Sequence, residues 1–108
     1  AKAVEAQFPQ GHIELSVTQQ YLNMKEKLVN HPEVLEKLKK AIKDQNIEPI
    51  MKPIRGGTDG SRLTEMGIPT PNLFTGGYNY HSRFEWASLS DMALSVETLL
   101  NLVQVWAD

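Results

Sequence analysis

The stretch PIRGGTDGSRLTEMGIPTPNLFTGGYNYHSRFE, residues 53–85, decides how this chain is organised. It carries two glycine pairs, Gly56 with Gly57 and Gly76 with Gly77, each behind a short apolar run. After the first pair, Asp59 is placed to cap a brief helix, GSRLTEM, which Gly67 closes in the left-handed conformation that glycine tolerates best. PTPNLFTGG then gives a proline-rich entry, a short strand around residues 72–74 and the second glycine pair. Strand, glycine loop, short helix, strand, glycine loop is the order of an α/β layered fold, helices on a sheet. In such folds ligands collect where loops leave the strand ends.

On the N-terminal side, IEPIMKPI (47–54) reads as an extended run that stops at Pro53. Before it, Asn30 or His31 caps, Pro32 takes the first turn, and Val34, Leu35, Leu38, Ala41 and Ile42 share one face, predicting a helix over about 31–45. HIELSVTQQY alternates Ile13, Leu15 and Val17 with polar residues, the two-residue period of a strand buried on one side. That strand has no evident partner nearby, which points to a piece of something larger. On the C-terminal side, a Ser88 or Ser90 cap leads into a helix with Met92, Val96, Leu99, Leu100, Val103 and Trp106 on one face.

A length of 108 residues favours one main body. A formal charge of −2 offers no basic patch for phosphate backbones, so no nucleic-acid partner is expected. No apolar run reaches membrane-spanning length, and AKAVEAQFPQ has neither the charged lead nor the apolar core of an export signal, so the expectation is a soluble, cytoplasmic protein. There is no cysteine, so a transition-metal site would have to use His, Asp and Glu.

Several residues can carry chemistry, each with a plainer alternative. Gly56 and Gly57 let backbone amides approach an anion, or simply turn the chain; the Lys-Ser/Thr ending of a phosphate loop is missing. Arg55 can clamp a carboxylate through its planar fork, or pair with a structural acid. Thr58 can donate to a substrate oxygen, or make a local turn bond. His81, between aromatics and behind Gly76 and Gly77, suits a metal ligand whose second nitrogen Asn79 or a loop carbonyl would fix, or it is an ordinary loop histidine. His12 and His31 read as structural or solvent residues.

The Gly-Gly-Thr-Asp loop, the Pro-Asn-Leu-Phe-Thr-Gly-Gly run, the Asn-x-His that follows and YLNMKEKLVNHPEV ahead of the first long helix together resemble one family. It is the tripeptide aminopeptidase branch of the two-zinc metallopeptidases, which also include glutamate carboxypeptidases and succinyl-diaminopimelate desuccinylases. The resemblance covers nearly the whole chain and matches roughly the last quarter of such an enzyme. It implies an α/β catalytic domain with two zinc ions, interrupted by a lid domain used in dimerisation. Residues 1–20 would be the exit of the lid and residues 21–108 the C-terminal part of the catalytic domain. It implies that His81 is a zinc ligand and that Arg55, Gly56, Gly57, Thr58 and Asn79 meet the substrate. The remaining zinc ligands and the general-base glutamate belong, in the family, ahead of the lid, and their motifs do not occur here. The activity implied for the complete enzyme, a homodimer, is hydrolysis of the N-terminal peptide bond of tripeptides, with the isolated chain inactive. The alternatives are a free-standing, non-catalytic binding or assembly module, and a phosphate or nucleotide site at residues 56–60.

Overall fold

The computed structural model describes residues 1–54 and 56–107 of the chain. Among these the elements are α1 (Lys2–Gln7), α2 (Lys25–Leu28), α3 (Pro32–Lys43), α4 (Asp59–Glu65), β1 (Gly77–Tyr78), β2 (Trp86–Ala87) and α5 (Leu89–Ala107).

The centre of the molecule is the packing of α3 against α5, with α2 alongside. Helix α3 starts as its sequence requires, with His31 at the N-cap and Pro32 in the first turn, where no amide is lost to the helix. It buries Leu38, Ala41 and Ile42, the stripe expected of it, and Leu28 of α2 completes the apolar core. Asn46 ends the helix in the left-handed region at φ 58°, donating its amide to the Lys43 carbonyl at 2.8 Å.

Helix α5 begins where a serine was expected to cap it: the Ser88 hydroxyl accepts the Asp91 amide at 3.3 Å. Its orientation differs from the expectation. The side turned inward carries Ser95 and Thr98, both buried, with Asn101 beside them, while Leu99, Leu100 and Val103 are 49 %, 63 % and 69 % exposed. Small polar side chains let the helix approach its neighbours closely and spend their hydrogen bonds there: Ser95 donates to the Phe74 carbonyl at 2.7 Å and Asn101 to the Ala41 carbonyl at 3.0 Å. The apolar stripe is left on the opposite side, so α5 is a helix built to be covered on two faces.

The helix-on-sheet layering is found only in part. The sheet is one antiparallel hairpin, with Gly77 opposite Ala87 and Tyr78 opposite Trp86. The segments expected as strands at 12–21, 47–54 and 72–74 form no ladder among the described residues. A strand is held by hydrogen bonds to a neighbour, and no described segment offers one: Leu15 and Val17 stand 70 % and 84 % exposed. An apolar groove of about 250 Å³ runs between α3 and residues 47–51 and 72–74, bounded by Leu38, Ile42, Pro49 and Phe74. The radius of gyration, 19.7 Å, far exceeds the roughly 13 Å of a compact chain of this size. The core is accordingly small for the apolar surface the chain carries. No described helix is long and apolar enough to cross a membrane.

Candidate functional site

The first glycine loop leads into α4. Thr58 is extended, and its hydroxyl accepts the Ser61 amide at 3.2 Å, so Thr58 is the cap and Asp59 is already the first helical residue. The expectation that Asp59 caps is corrected by one position. Both side chains can cap, and the extended backbone falls on Thr58. Gly60 is buried where a Cβ would lie 2.6 Å from the Thr70 carbonyl oxygen and 3.0 Å from Asn72 Oδ1, which packs the start of α4 onto the proline-rich segment. The helix closes at Gly67, φ 94°, as its sequence predicts.

Gly57 has a different reason to be glycine. A Cβ there would come within 2.5 Å of the Tyr21 ring, which lies across the loop. The Leu22 amide donates to Glu65, holding the Tyr21 segment against α4. The result is an open cleft of about 300 Å³ lined by Gln20, Tyr21, Gly57, Thr58, Asp59 and Arg62. A guanidinium, a carboxylate, a hydroxyl and an aromatic face share its wall, a set suited to a small polar or zwitterionic molecule. Tyr21 and Arg62 were not among the residues expected from the sequence. Arg62 carries a faint signal, since it stands three positions after Asp59 on a short helix; Tyr21 carries none, because its role depends on a contact across the fold.

The second glycine loop opens the hairpin. Gly76 is buried at φ 81°, and a Cβ there would lie 2.5 Å from the Met92 amide nitrogen. Its carbonyl accepts the Ser88 amide at 2.8 Å, so loop and helix meet backbone to backbone. Tyr78 and Trp86, paired across the strands, stack with ring centroids 4.3 Å apart and planes 12° from parallel. The Tyr78 hydroxyl donates to the Asp91 carboxylate. That hydrogen bond, helped by burial and by the Asp91 and Tyr80 charges, raises the Tyr78 pKa above its ordinary value.

Residues 79–85 form the tip. Asn79 and His81 both take the left-handed conformation, at φ 54° and 63°, which costs a non-glycine residue about 1–2 kcal/mol. The tip is closed by its own bonds: the Ser82 amide donates to the Asn79 carbonyl at 3.1 Å, the Phe84 amide to Ser82 Oγ at 3.1 Å, and the His81 amide to Glu85 Oε2 at 2.9 Å. His12 Nδ1 faces Glu5 at 3.3 Å and His31 Nδ1 faces Glu33 at 3.6 Å, as structural or solvent histidines do. No such partner is seen for the His81 imidazole among the described residues.

Gly57 and Thr58 therefore share the cleft, and Gly56 stands beside it at φ 86° with open space where a Cβ would lie. Asn79 and His81 lie on the hairpin tip and do not line that cleft. Arg55 lies outside the described residues. Among the described residues no three His, Asp or Glu side chains converge as a metal-holding group. His81 contributes one donor of the right chemistry, and the others would have to come from elsewhere.

Comparison with known proteins adds identity to this geometry. The model of peptidase family M20/M25/M40 matches residues 7–105. A protein called Peptidase T from Clostridium perfringens is 45 % identical over 108 residues, all of this chain and 27 % of its own length. A Peptidase T from Desulfitobacterium hafniense is 45 % identical over 108 residues, 26 % of its length. One from Escherichia coli is 48 % identical over 99 residues, 92 % of this chain and 24 % of its own length. The chain thus spans about a quarter of the length of the relatives it matches.

Proposed function

The chain belongs to peptidase family M20/M25/M40, and from that membership we propose that it forms the C-terminal part of the catalytic domain of a zinc-dependent tripeptide aminopeptidase. The observation that carries the reading is the 45 % identity, over all 108 residues, to proteins called Peptidase T. Residues 1–20 are assigned to the exit of an inserted lid and dimerisation domain, and residues 21–108 to the catalytic domain. The complete enzyme is proposed to be a cytoplasmic homodimer acting on tripeptides.

His81 is assigned as this chain's ligand to one of two zinc ions. Two features support it: its backbone is held left-handed by a closed loop, and His12 and His31 face carboxylates of their own. Zinc, when bound, supplies Lewis acidity and an activated water. The chain's own contribution is to hold and orient. The cleft beside Gly57 takes part of the peptide, with the Thr58 hydroxyl and the Arg62 guanidinium in its wall as hydrogen-bonding groups for a carbonyl or carboxylate. Asn79, beside His81 on the hairpin tip, and Arg55 are further substrate contacts in this assignment.

The exposed apolar stripe of α5 and the groove beside α3 suit a chain whose sheet is completed by other polypeptide. They would also suit a binding module without catalysis, so activity decides between the two. The intact protein that contains this chain is expected to release the N-terminal residue of tripeptides in the presence of zinc. His81→Ala is expected to abolish turnover and reduce bound zinc. The isolated 108-residue chain is expected to show none. Turnover by the isolated chain, or full turnover and zinc content in His81→Ala, would refute the assignment.

A further inference from the structure

The hairpin tip contains a contact whose consequence goes beyond assigning His81 as a ligand. The Asn79 side chain reaches the Phe84 carbonyl at 3.4 Å, the Ser82 amide reaches the Asn79 carbonyl, and the Glu85 amide reaches the Ser82 carbonyl at 3.0 Å. These bonds close the tip around His81 without touching it. The His81 amide takes no part in that set; it belongs to a residue at φ 63° and is met by the carboxylate of Glu85, at 2.9 Å. Glu85 itself sits directly before β2, whose first residue Trp86 stacks on Tyr78. The acceptor is thus attached to the paired base of the hairpin, and the donor belongs to the strained residue at its tip.

We infer that Glu85 is a positioning residue: by accepting the His81 amide, its carboxylate holds that residue's backbone in the left-handed conformation that fixes the direction of the imidazole. The inference rests on His81 being a metal ligand. A peptide plane free to rotate would let the Cα–Cβ direction of His81 swing, and a ligand imidazole tolerates little misdirection. Groups that orient a metal-binding histidine typically change metal affinity 10–100-fold when removed. Glu85 does so through the main chain and not through the ring. An acceptor oxygen is what the contact requires, and a negative charge is not.

The test is a double-mutant cycle in the intact protein that contains this chain, read by zinc affinity in competition with a chromophoric chelator and by hydrogen exchange of the His81 amide. Glu85→Ala is expected to weaken the affected zinc site by about 10–100-fold and to strip the His81 amide of protection. Glu85→Gln, which keeps an acceptor oxygen, is expected to retain both within a few-fold. In a His81→Ala background, Glu85→Ala is expected to add no further loss of affinity. If His81→Ala weakens zinc binding while Glu85→Ala does not, the positioning role is overturned and the ligand assignment stands. If His81→Ala leaves zinc affinity unchanged, the ligand assignment fails and the inference fails with it. A Glu85→Gln protein as impaired as Glu85→Ala would also overturn the inference, because it would show that charge and not the acceptor is what matters.

Discussion

Tyr78, on the first strand of the hairpin, donates its hydroxyl to the carboxylate of Asp91 in the first turn of α5. With the Tyr78–Trp86 stack beneath it and the Gly76–Ser88 backbone bond behind it, this contact ties the base of the hairpin to the end of a helix. The tip that carries His81 is then short and anchored, and its position is inherited from α5.

That tie predicts a pH response. The hydrogen bond to Asp91 is the largest cause of the raised Tyr78 pKa, followed by burial and the Asp91 charge. The folded state therefore holds the phenolic proton more tightly than the unfolded chain does. The stabilisation is fully present below the ordinary tyrosine value of 10.0 and is lost as pH rises through the higher folded value. Phenolate absorbance should show a Tyr78 titration above the ordinary value, lost in Tyr78→Phe and moved back down in Asp91→Asn. An Asp91→Asn protein with an unmoved titration would refute the cause.

Two glycines at similar φ should respond very differently to alanine. Gly56, at φ 86°, has no atom within 4 Å of where a Cβ would stand, so Gly56→Ala should cost only the left-handed penalty of about 1–2 kcal/mol. Gly76, at φ 81°, would place its Cβ 2.5 Å from the Met92 nitrogen and 2.8 Å from the Asp91 carbonyl carbon, both backbone atoms that cannot rotate aside. Gly76→Ala should cost measurably more and should also separate the hairpin from α5. Denaturant unfolding of the two variants in the intact protein checks the order, and equal losses would show that the loop yields.

How much of this was legible in the sequence follows from which contacts are local. Helix α3 was readable because Pro32, Leu38, Ala41 and Ile42 state a start and a face within one element. The stop of α4 at Gly67 and the Ser88 cap of α5 were readable for the same reason. The resemblance to a peptidase family was readable from the glycine loops and the Asn-x-His, and similarity over the whole chain supports it. Besides the strands expected at 12–21, 47–54 and 72–74, which find no partner among the described residues, three things were not. The choice between Thr58 and Asp59 as cap depends on which residue takes the extended backbone. The inward face of α5 could not be chosen, because the helix carries apolar residues on both sides: Leu94, Leu102 and Val105 are half-buried beside Ser95, Thr98 and Asn101, while the stripe with Leu99, Leu100 and Val103 stays exposed. Tyr21 against Gly57 is a contact between segments far apart in the chain, and no local pattern encodes it.

Thr58 offers a separation of structure from binding. Its hydroxyl caps α4 by accepting the Ser61 amide, and the residue also lines the cleft. Thr58→Ala should lose about 0.5–2 kcal/mol of stability, while Thr58→Ser, which keeps the oxygen, should lose little. If the hydroxyl also meets substrate, Thr58→Ala should raise KM for tripeptides and Thr58→Ser should not. Stability and KM both unchanged in Thr58→Ala would remove both roles.

The contact that should matter most to the helical pair is the one between Asn101 and Ala41. Near the end of a helix, carbonyls lose their partners four residues on, and in α3 the remaining ones are accounted for: the Asp44 amide takes the Lys40 carbonyl, Gln45 and Ile47 the Ile42 carbonyl, and Asn46 the Lys43 carbonyl. The Ala41 carbonyl is passed over, and Ala41 is fully buried. Asn101 Nδ2 supplies the missing donor at 3.0 Å from the neighbouring helix, with Asp44 Oδ2 a more distant second acceptor at 3.5 Å. A buried acceptor left without a partner costs about 1–3 kcal/mol, so Asn101→Ala should destabilise the intact protein by that amount. Asn101→Asp should be worse at neutral pH, because it removes the donor and sets a second carboxylate beside Asp44, whose own pKa is held low chiefly by its hydrogen bond to Lys40. Part of that excess should disappear on acidification as the introduced carboxyl takes up a proton and becomes a donor again. Equilibrium unfolding at neutral and mildly acidic pH reads both effects. An Asn101→Ala protein within about 0.5 kcal/mol of the parent would mean that water reaches the Ala41 carbonyl and that the two helices are held without this hydrogen bond.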